Sequence, residues 1–373
     1  MFYTNLRNVA LTCLLILLGI TASLAQNPTP TPKIVDDENT VVKVTSHLVV
    51  VPVSVTDASG QPIPGLTLND FRIAEEGKPQ KLENIGSADK VPLEIVLLFD
   101  VSASTDAMFK FEQDTAAQFL KDVMRSEDRA AVFTVGASPV LIQPRDTAEK
   151  SAQAILSIKP TKDFTAFFDS IGAASDYLRK NAPLGTRRVV VVISDGEDTN
   201  SSHIAKAIQD GYKKAGEKVN TLDNKALYEL TVANRNAASA KERIRILQGL
   251  QNADTVFYSI NPAGSSFQLN KMSVYGQENM QQFADQTGGT AFLPKFQPID
   301  TKDDLMNISN TKKNTNTLEL IFRQLANELR AQYLVQYYSE SEFPLNKYVK
   351  LDVGLNNRGP LRVRARQGYF VKE

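Results

Sequence analysis

Between Thr40 and Asp57 apolar side chains alternate. Leu48, Val50 and Pro52 fall on one side, and Val49, Val51, Val53 and Val55 on the other. That pattern predicts a long β-strand running into the turn Asp57-Ala58-Ser59-Gly60. A second turn, Glu76-Gly77, separates the strand-like Phe71–Ala74 and Lys81–Ile85, so the first segment reads as a β-rich meander. From Leu93 the rhythm changes. Short apolar runs, Leu93–Phe99, Ala130–Val135, Val189–Ser194, Val256–Ile260 and Thr290–Leu293, alternate with stretches whose apolar residues recur at helical spacing. Phe109, Ala116, Phe119, Leu120 and Val123 mark one such helix, and Phe168, Ile171, Ser175 and Leu178 another. Strands without polar positions are covered on both faces, which is the condition of a parallel sheet. The order βαβα therefore predicts an α/β domain with a doubly wound, mostly parallel sheet and helices on both sides.

The remaining stretches set the domain plan. His203–Leu250 mixes Ala, Lys and Glu and is too long for a simple connection, so a helical insertion is expected at about 201–250. Ile299–Thr317 is rich in Asn, Lys and Asp and reads as a mobile loop before a closing helix, Leu318–Leu329. The tail returns to strand-like segments, Tyr333–Ser339, Lys347–Gly354 and Leu361–Val371, the last two separated by Asn356-Asn357-Arg358-Gly359-Pro360. Two β segments flanking a contiguous α/β domain are expected to pair as one discontinuous, sandwich-like module. The expected boundaries are 40–90 and 332–373 for that module and 91–331 for the α/β domain.

Ahead of these lies an address. Arg7, the apolar stretch Val9–Ile20 and the small residues Thr21-Ala22-Ser23-Leu24-Ala25 follow the pattern of a secretory signal peptide over residues 1–25. The alternative is an uncleaved anchor, against which the short apolar run argues. Gln26–Asp37 is Pro/Thr-rich, and residues 26–39 read as an extended tether. Export to the periplasm, cell envelope or exterior is the expectation, with no integral membrane span after cleavage. Cys13, the sole cysteine, lies inside the apolar stretch and follows Thr12, which excludes thiolate chemistry from the mature chain. Lys+Arg and Asp+Glu both number 42, so no bulk field favours nucleic acid.

Candidate chemistry gathers at strand ends. Asp100-Val101-Ser102-Ala103-Ser104 follows the strand Leu93–Phe99 and carries a carboxylate and two hydroxyls at alternate positions. In an extended loop these project the same way, and all are hard oxygen donors of the kind Mg²⁺ takes. Thr165 opens a helical pattern, and Asp195 in Ser194-Asp195-Gly196-Glu197-Asp198 follows another apolar strand, on the same carboxyl-end rim. Asp-x-Ser-x-Ser, a Thr, and an Asp in a strand-terminal Asp-Gly-x-Asp resemble the metal-ion-dependent adhesion site of the von Willebrand factor type A domain. The order of elements matches over roughly residues 92–329. The flanks, Leu48 to Asp57, Gly65-Leu66-Thr67-Leu68-Asn69-Asp70-Phe71, Glu76 to Gln80 and the ending Leu361 to Phe370, are similar to the acidobacterial von Willebrand factor A-related family. Two departures stand out: Asp163-Phe164 where small residues are usual, and the length of 203–250.

The resemblance implies a Rossmann-like fold and a divalent ion, Mg²⁺ with Mn²⁺ and Ca²⁺ as alternatives, at Asp100, Ser102, Ser104, Thr165 and Asp195. It implies that Ser102, Ser104 and Thr165 reach the ion directly, or through water for Thr165, with Asp100 and Asp195 acting mainly through water. Neutral hydroxyls leave much of the double charge unquenched, so a protein partner's carboxylate is the expected occupant of the open position. Two alternatives stand beside this non-enzymatic reading. One is an envelope structural protein whose metal only stiffens the loop. The other is a metal-dependent phosphatase or hydrolase, against which Ser102 stands where a dehalogenase-type phosphatase needs its second Asp. Neither His47 nor His203 follows a nucleophile elbow, and both read as packing or surface residues. Glu197 and Asp198 read as a solvated turn or support for the ligands. The Arg362/Arg364/Arg366 stripe reads as a solvated strand edge.

Overall fold

Nothing polar interrupts the strand that leads to Asp100, and in the structure all of Leu93–Asp100 is buried. The computed structural model describes residues 47–102, 106–161, 164–262, 271–299, 301–357 and 359–371. The expected signal peptide, the tether, Cys13 and the start of the first strand lie outside the described residues, which all belong to one compact unit, Thr45–Glu373.

The first segment forms β1 (His47–Thr56), β2 (Phe71–Glu75), β3 (Lys78–Pro79) and β4 (Leu82–Ser87). The α/β domain follows with β5 (Leu93–Asp100), α1 (Asp106–Val123), β6 (Arg129–Val135), β7 (Val140–Asp146), α2 (Ala148–Ser157), α3 (Phe167–Asn181) and β8 (Arg187–Ile193). It continues with α4 (Ser202–Ala215), α5 (Asn224–Asn252), β9 (Thr255–Ile260), α6 (Lys271–Thr287), β10 (Ala291–Phe292) and α7 (Asp304–Arg330). The tail supplies β11 (Tyr333–Ser339), β12 (Tyr348–Leu355), β13 (Arg362–Ala365) and β14 (Gly368–Phe370).

The central sheet has the order β10-β9-β8-β5-β6-β7, parallel throughout except for the antiparallel edge strand β7. This is the α/β, doubly wound, mostly parallel sheet that the periodicity predicts. Period-two alternation sends Ile95, Leu97 and Phe99 to one face and Val96 and Leu98 to the other. The first face packs on α1, α2 and α7, the second on α3, α5 and α6. Each of these fully buried aliphatic side chains contributes about 1.5–3 kcal/mol relative to exposure. After β5 the chain winds outward to β6 and β7, then returns and winds the other way through β8, β9 and β10. The carboxyl ends of β5 and β8 therefore flank the topological switch point, where connections leave in opposite directions and open a crevice.

The terminal segments form two antiparallel sheets, β13-β1-β11-β4 and β14-β12-β2-β3, with a common core that includes Val51, Val53, Phe71, Ile73, Val335 and Leu351. The expected last strand is broken at Arg366-Gln367: β13 pairs with β1 and β14 with β12, so one short stretch serves both sheets.

Several expectations are corrected. Ile299–Thr317 is not a loop beyond Asp303, because α7 starts at Asp304. Its polar residues work inside the helix: Asp303 caps Met306 N at 3.0 Å, and buried Asn314 bonds both N and O of Gln297. Apolar periodicity is blind to such a half-helix, since asparagines fill its inward face. The edge strand β7 carries no period-two signal because Val140, Leu141 and Ile142 are consecutive and exposed, and the inward face of α2 is mostly small, with Ala148, Ser151 and Ala152 beside Ile155. Arg362 is exposed on a solvated edge as expected, but Arg364 and Arg366 are partly covered. Arg364 donates to Gly289 O at 3.2 Å and Arg366 to Asp254 at 3.3 Å, both on the α/β domain, while Arg366 also donates to Val50 O of β1 at 2.9 Å. His203 is a surface residue as expected, its side chain 55% exposed and paired with Glu242 at 2.8 Å. The 201–250 stretch is helical, as expected, formed by α4, a 3₁₀ turn at Gly216–Thr221 and most of α5.

Candidate metal centre

Asp100 is the last residue of β5, and its neighbours on either side place its oxygens. Asp100 Oδ1 accepts from Ser102 N at 2.9 Å and Ser102 Oγ at 2.6 Å, while Oδ2 accepts from Ser194 Oγ at 2.5 Å. The first two bonds fold the loop back onto the strand end, and the third crosses from β5 to the end of β8. Burial pushes the Asp100 carboxyl above its ordinary range, with the Ser102 and Ser194 hydroxyls pulling the other way and Glu197 adding to the rise.

Asp195 sits one residue beyond Ser194 in the turn after β8. Its Oδ1 accepts from Glu197 N at 2.9 Å. Its second oxygen has no hydrogen-bond partner among the described residues. Burial, with the charges of Asp100 and Glu197 adding to it, pushes this carboxyl up to about 6.

Thr165 precedes α3 and is only 6% exposed. Its backbone is pinned on both sides: Thr165 N donates to Thr199 Oγ1 at 2.7 Å, and Thr165 O accepts from Thr199 N at 2.8 Å and Asn200 N at 3.0 Å. The next residue joins the rim, because Ala166 N donates to Gly136 O at 2.7 Å just past β6. The Thr165 hydroxyl itself makes no hydrogen bond among the described residues. Phe164 beside it is 67% exposed.

The three segments thus meet at one rim, the switch point between β5 and β8. Ser104 lies outside the described residues, as does Asp163. What is assembled is chemically coherent: two carboxylates, a serine hydroxyl already donating its proton to Asp100, and an unengaged threonine hydroxyl. These are hard neutral and anionic oxygens, a donor set suited to Mg²⁺, Mn²⁺ or Ca²⁺ rather than to thiophilic metals. Among the described residues no cluster of three or more His, Cys, Asp or Glu side chains is placed to hold a metal, so the hydroxyls are essential to any cation site here.

Residues 95–197 match the family model of the von Willebrand factor type A domain. The match spans β5 to the turn after β8 and includes Asp100, Ser102, Thr165 and Asp195. No curated protein matches the chain. Among solved structures, it is similar to an aerotolerance-related membrane protein from Bacteroides fragilis carrying multiple mutations to serines. That likeness has 13% identity and a TM-score of 0.33 over 61% of this chain and 98% of the other. The conserved hypothetical protein BatB from Bacteroides thetaiotaomicron gives 14% identity and 0.31 over 60% and 98%. Proximal thread matrix protein 1 from the mussel byssus, with a zinc occupied MIDAS motif, gives 11% identity and 0.38 over 69% and 50%, so the chain spans about half of that protein.

Four residues beyond the five candidate ligands shape this site. Ser194 holds Asp100 from across the switch point. Asp198, expected as a solvated turn or ligand support, is a half-buried helix cap: its Oδ2 accepts from Phe168 N at 3.0 Å and from Ser201 Oγ, and its Oδ1 from Ser201 N at 3.0 Å. The residue before α3, Ala166, offers no side-chain cap, so Asp198 caps that helix from another loop. Gly276 on α6 lies against the Asp195–Gly196 turn. Glu112 on α1 is 9% exposed, and burial, together with the charges of Asp100 and Asp195, pushes its carboxyl up to about 8. The signal for Glu112 was legible: it is the one charged residue on the inward stripe Phe109, Glu112, Ala116, Phe119.

Proposed function

We propose that this chain is an exported, non-enzymatic interaction protein. In this reading Asp100, Ser102, Ser104, Thr165 and Asp195 hold a divalent cation, Mg²⁺ first, and an acidic group of a protein partner completes the cation's coordination. The flanking sandwich, which we assign to the acidobacterial von Willebrand factor A-related type, carries the type A domain at the envelope or outside the cell.

One observation carries the reading. At the rim, the charge of buried Asp100 helps push half-buried Asp195 up with no basic partner among the described residues, while the Thr165 hydroxyl and one Asp195 oxygen are unengaged. A carboxylate pair drawn partly out of water without a counter-ion is costly. A divalent cation supplies the counter-charge and uses the spare oxygens. Asp100, with both oxygens already held by Ser102 and Ser194, orients Ser102 rather than competing for the ion. Among the described residues no helix is long and apolar enough to cross a membrane.

The test is calorimetric titration of the mature chain with MgCl₂, then with acetate as a minimal carboxylate. The expected result is Mg²⁺ binding, with acetate binding only once Mg²⁺ is present. Asp100→Ala is expected to lose both while keeping its circular dichroism spectrum. Mg²⁺ binding without any acetate binding would favour the second reading, a cation that only stiffens the rim.

A further inference from the structure

Glu112 is the least explained charge in the molecule. It lies on α1, nine-tenths buried, and makes no hydrogen bond or ion pair among the described residues. A lone buried carboxylate of this kind is retained only where something compensates it.

Its placement says what that is. One turn earlier on the same face, Phe109 packs edge-on against Phe99 with ring centroids 5.3 Å apart, and Phe99 immediately precedes Asp100. Residues three apart share a helix face, and helical side chains lean toward the helix N-terminus. Glu112 therefore points up α1, toward the loop that Asp100 and Ser102 open. The charges it feels are those of Asp100 and Asp195, and no basic side chain figures among them.

We propose that Glu112 is a third anionic group of the metal centre, standing behind the ligands without being one, whose charge strengthens cation binding through space. This rests on the metal-holding reading above and adds to it a residue outside the five-position motif. Among the described residues no basic side chain accompanies Glu112, Asp100 and Asp195, and each of these carboxyls is pushed up. A bound cation supplies the counter-charge that they lack, and that compensation appears as affinity. The same charge lowers the net charge of the loaded site, so Glu112 also moderates the pull on an incoming carboxylate.

The experiment is Mg²⁺ titration of wild type, Glu112→Gln and Glu112→Asp, with thermal unfolding of each in chelator. Glu112→Gln is expected to bind Mg²⁺ about 10–100-fold more weakly, the range for residues that act on a metal from behind its ligands. In chelator it is expected to melt above wild type, because the amide is buried without the proton uptake that a carboxyl pushed up to about 8 needs near neutral pH. Glu112→Asp keeps the charge and is expected to bind closer to wild type than Glu112→Gln. Unchanged affinity in Glu112→Gln, or equal losses in both variants, overturns the role of Glu112 and leaves the metal site standing. A wild-type chain that takes up neither Mg²⁺ nor Mn²⁺ overturns both.

Discussion

Gly276 lies against Gly196, backbone to backbone. A Cβ at 276 would sit 2.6 Å from the Gly196 carbonyl carbon and 2.8 Å from the Asp195 carbonyl oxygen. Gly196 itself turns with φ of +78°, a conformation that glycine adopts freely. Helix α6 thus serves as the floor on which the Asp195 turn rests. Gly276→Ala is expected to push that turn off its floor and cost about 1–3 kcal/mol, as overpacking does. Mg²⁺ affinity should fall with it. Gly249→Ala on α5 is the control, since its Cβ meets only Ser175 Oγ at an ordinary 3.7 Å. There the gain in helix propensity is up to about 1 kcal/mol. Urea unfolding of the two variants gives opposite signs if α6 supports the turn and the same sign if it does not.

Asp198 ties the Thr165 segment to the β8 turn, since it caps α3 at Phe168 N and holds Ser201. Asp198→Ala leaves Phe168 N and Ser201 without their acceptor, and unsatisfied buried donors cost about 1–3 kcal/mol. Asp198→Asn keeps one acceptor oxygen and is expected to lose less. Chemical denaturation ranks the three proteins. Amide exchange at Phe168 and Asp169 should accelerate in Asp198→Ala, and unchanged protection there would refute the capping role.

Sequence periodicity made the central sheet readable because its strands are apolar on both sides, and a continuous run such as Val189–Ile193 has no other reading at that length. The candidate ligand positions stand out in sequence for a different reason: a strand end, an alternate-residue loop and a helix start are local geometries. What stayed hidden is what depends on contact between distant segments. Ser194 reaching Asp100, Asp198 capping α3 and Gly276 meeting Gly196 each join residues thirty or more positions apart. Arg364 and Arg366 misread for the same reason. Alternation on a strand says which face a residue occupies, and it does not say that another domain covers that face.

Ser194 gives a sharper probe of Asp100 than Asp100 itself. Its hydroxyl donates to Asp100 Oδ2 at 2.5 Å and also accepts from Gly196 N at 3.0 Å, so it locks the β5 and β8 ends together. Ser194→Ala removes both bonds without removing a proposed ligand. The expected loss of stability is about 0.5–1.5 kcal/mol per bond. Mg²⁺ binding is expected to weaken rather than vanish, because Ser102 still holds Oδ1. Titration calorimetry distinguishes that graded loss from the complete loss expected of Asp100→Ala.

Arg366 joins the sandwich to the α/β domain. It is nearly buried, donates to Val50 O at 2.9 Å within β1 and to Asp254 at 3.3 Å ahead of β9, and lies over the Tyr369 ring at 5.5 Å. The two regions keep separate apolar cores, so polar contacts of this kind help make them unfold together. Arg366→Ala removes a charged hydrogen bond, worth about 1.5–3 kcal/mol, and it also strips cover from β1. The exposed Asp254 pair contributes little of this, because surface ion pairs are worth about 0–1 kcal/mol. Arg366→Lys keeps the charge but loses the forked geometry, and is expected to recover only part of the loss. The measurement is urea unfolding followed by far-ultraviolet circular dichroism and, separately, by limited proteolysis. Arg366→Ala should separate one transition into two, with the sandwich cleaved first. A single transition at the wild-type midpoint would show that the apolar contacts alone couple the two regions.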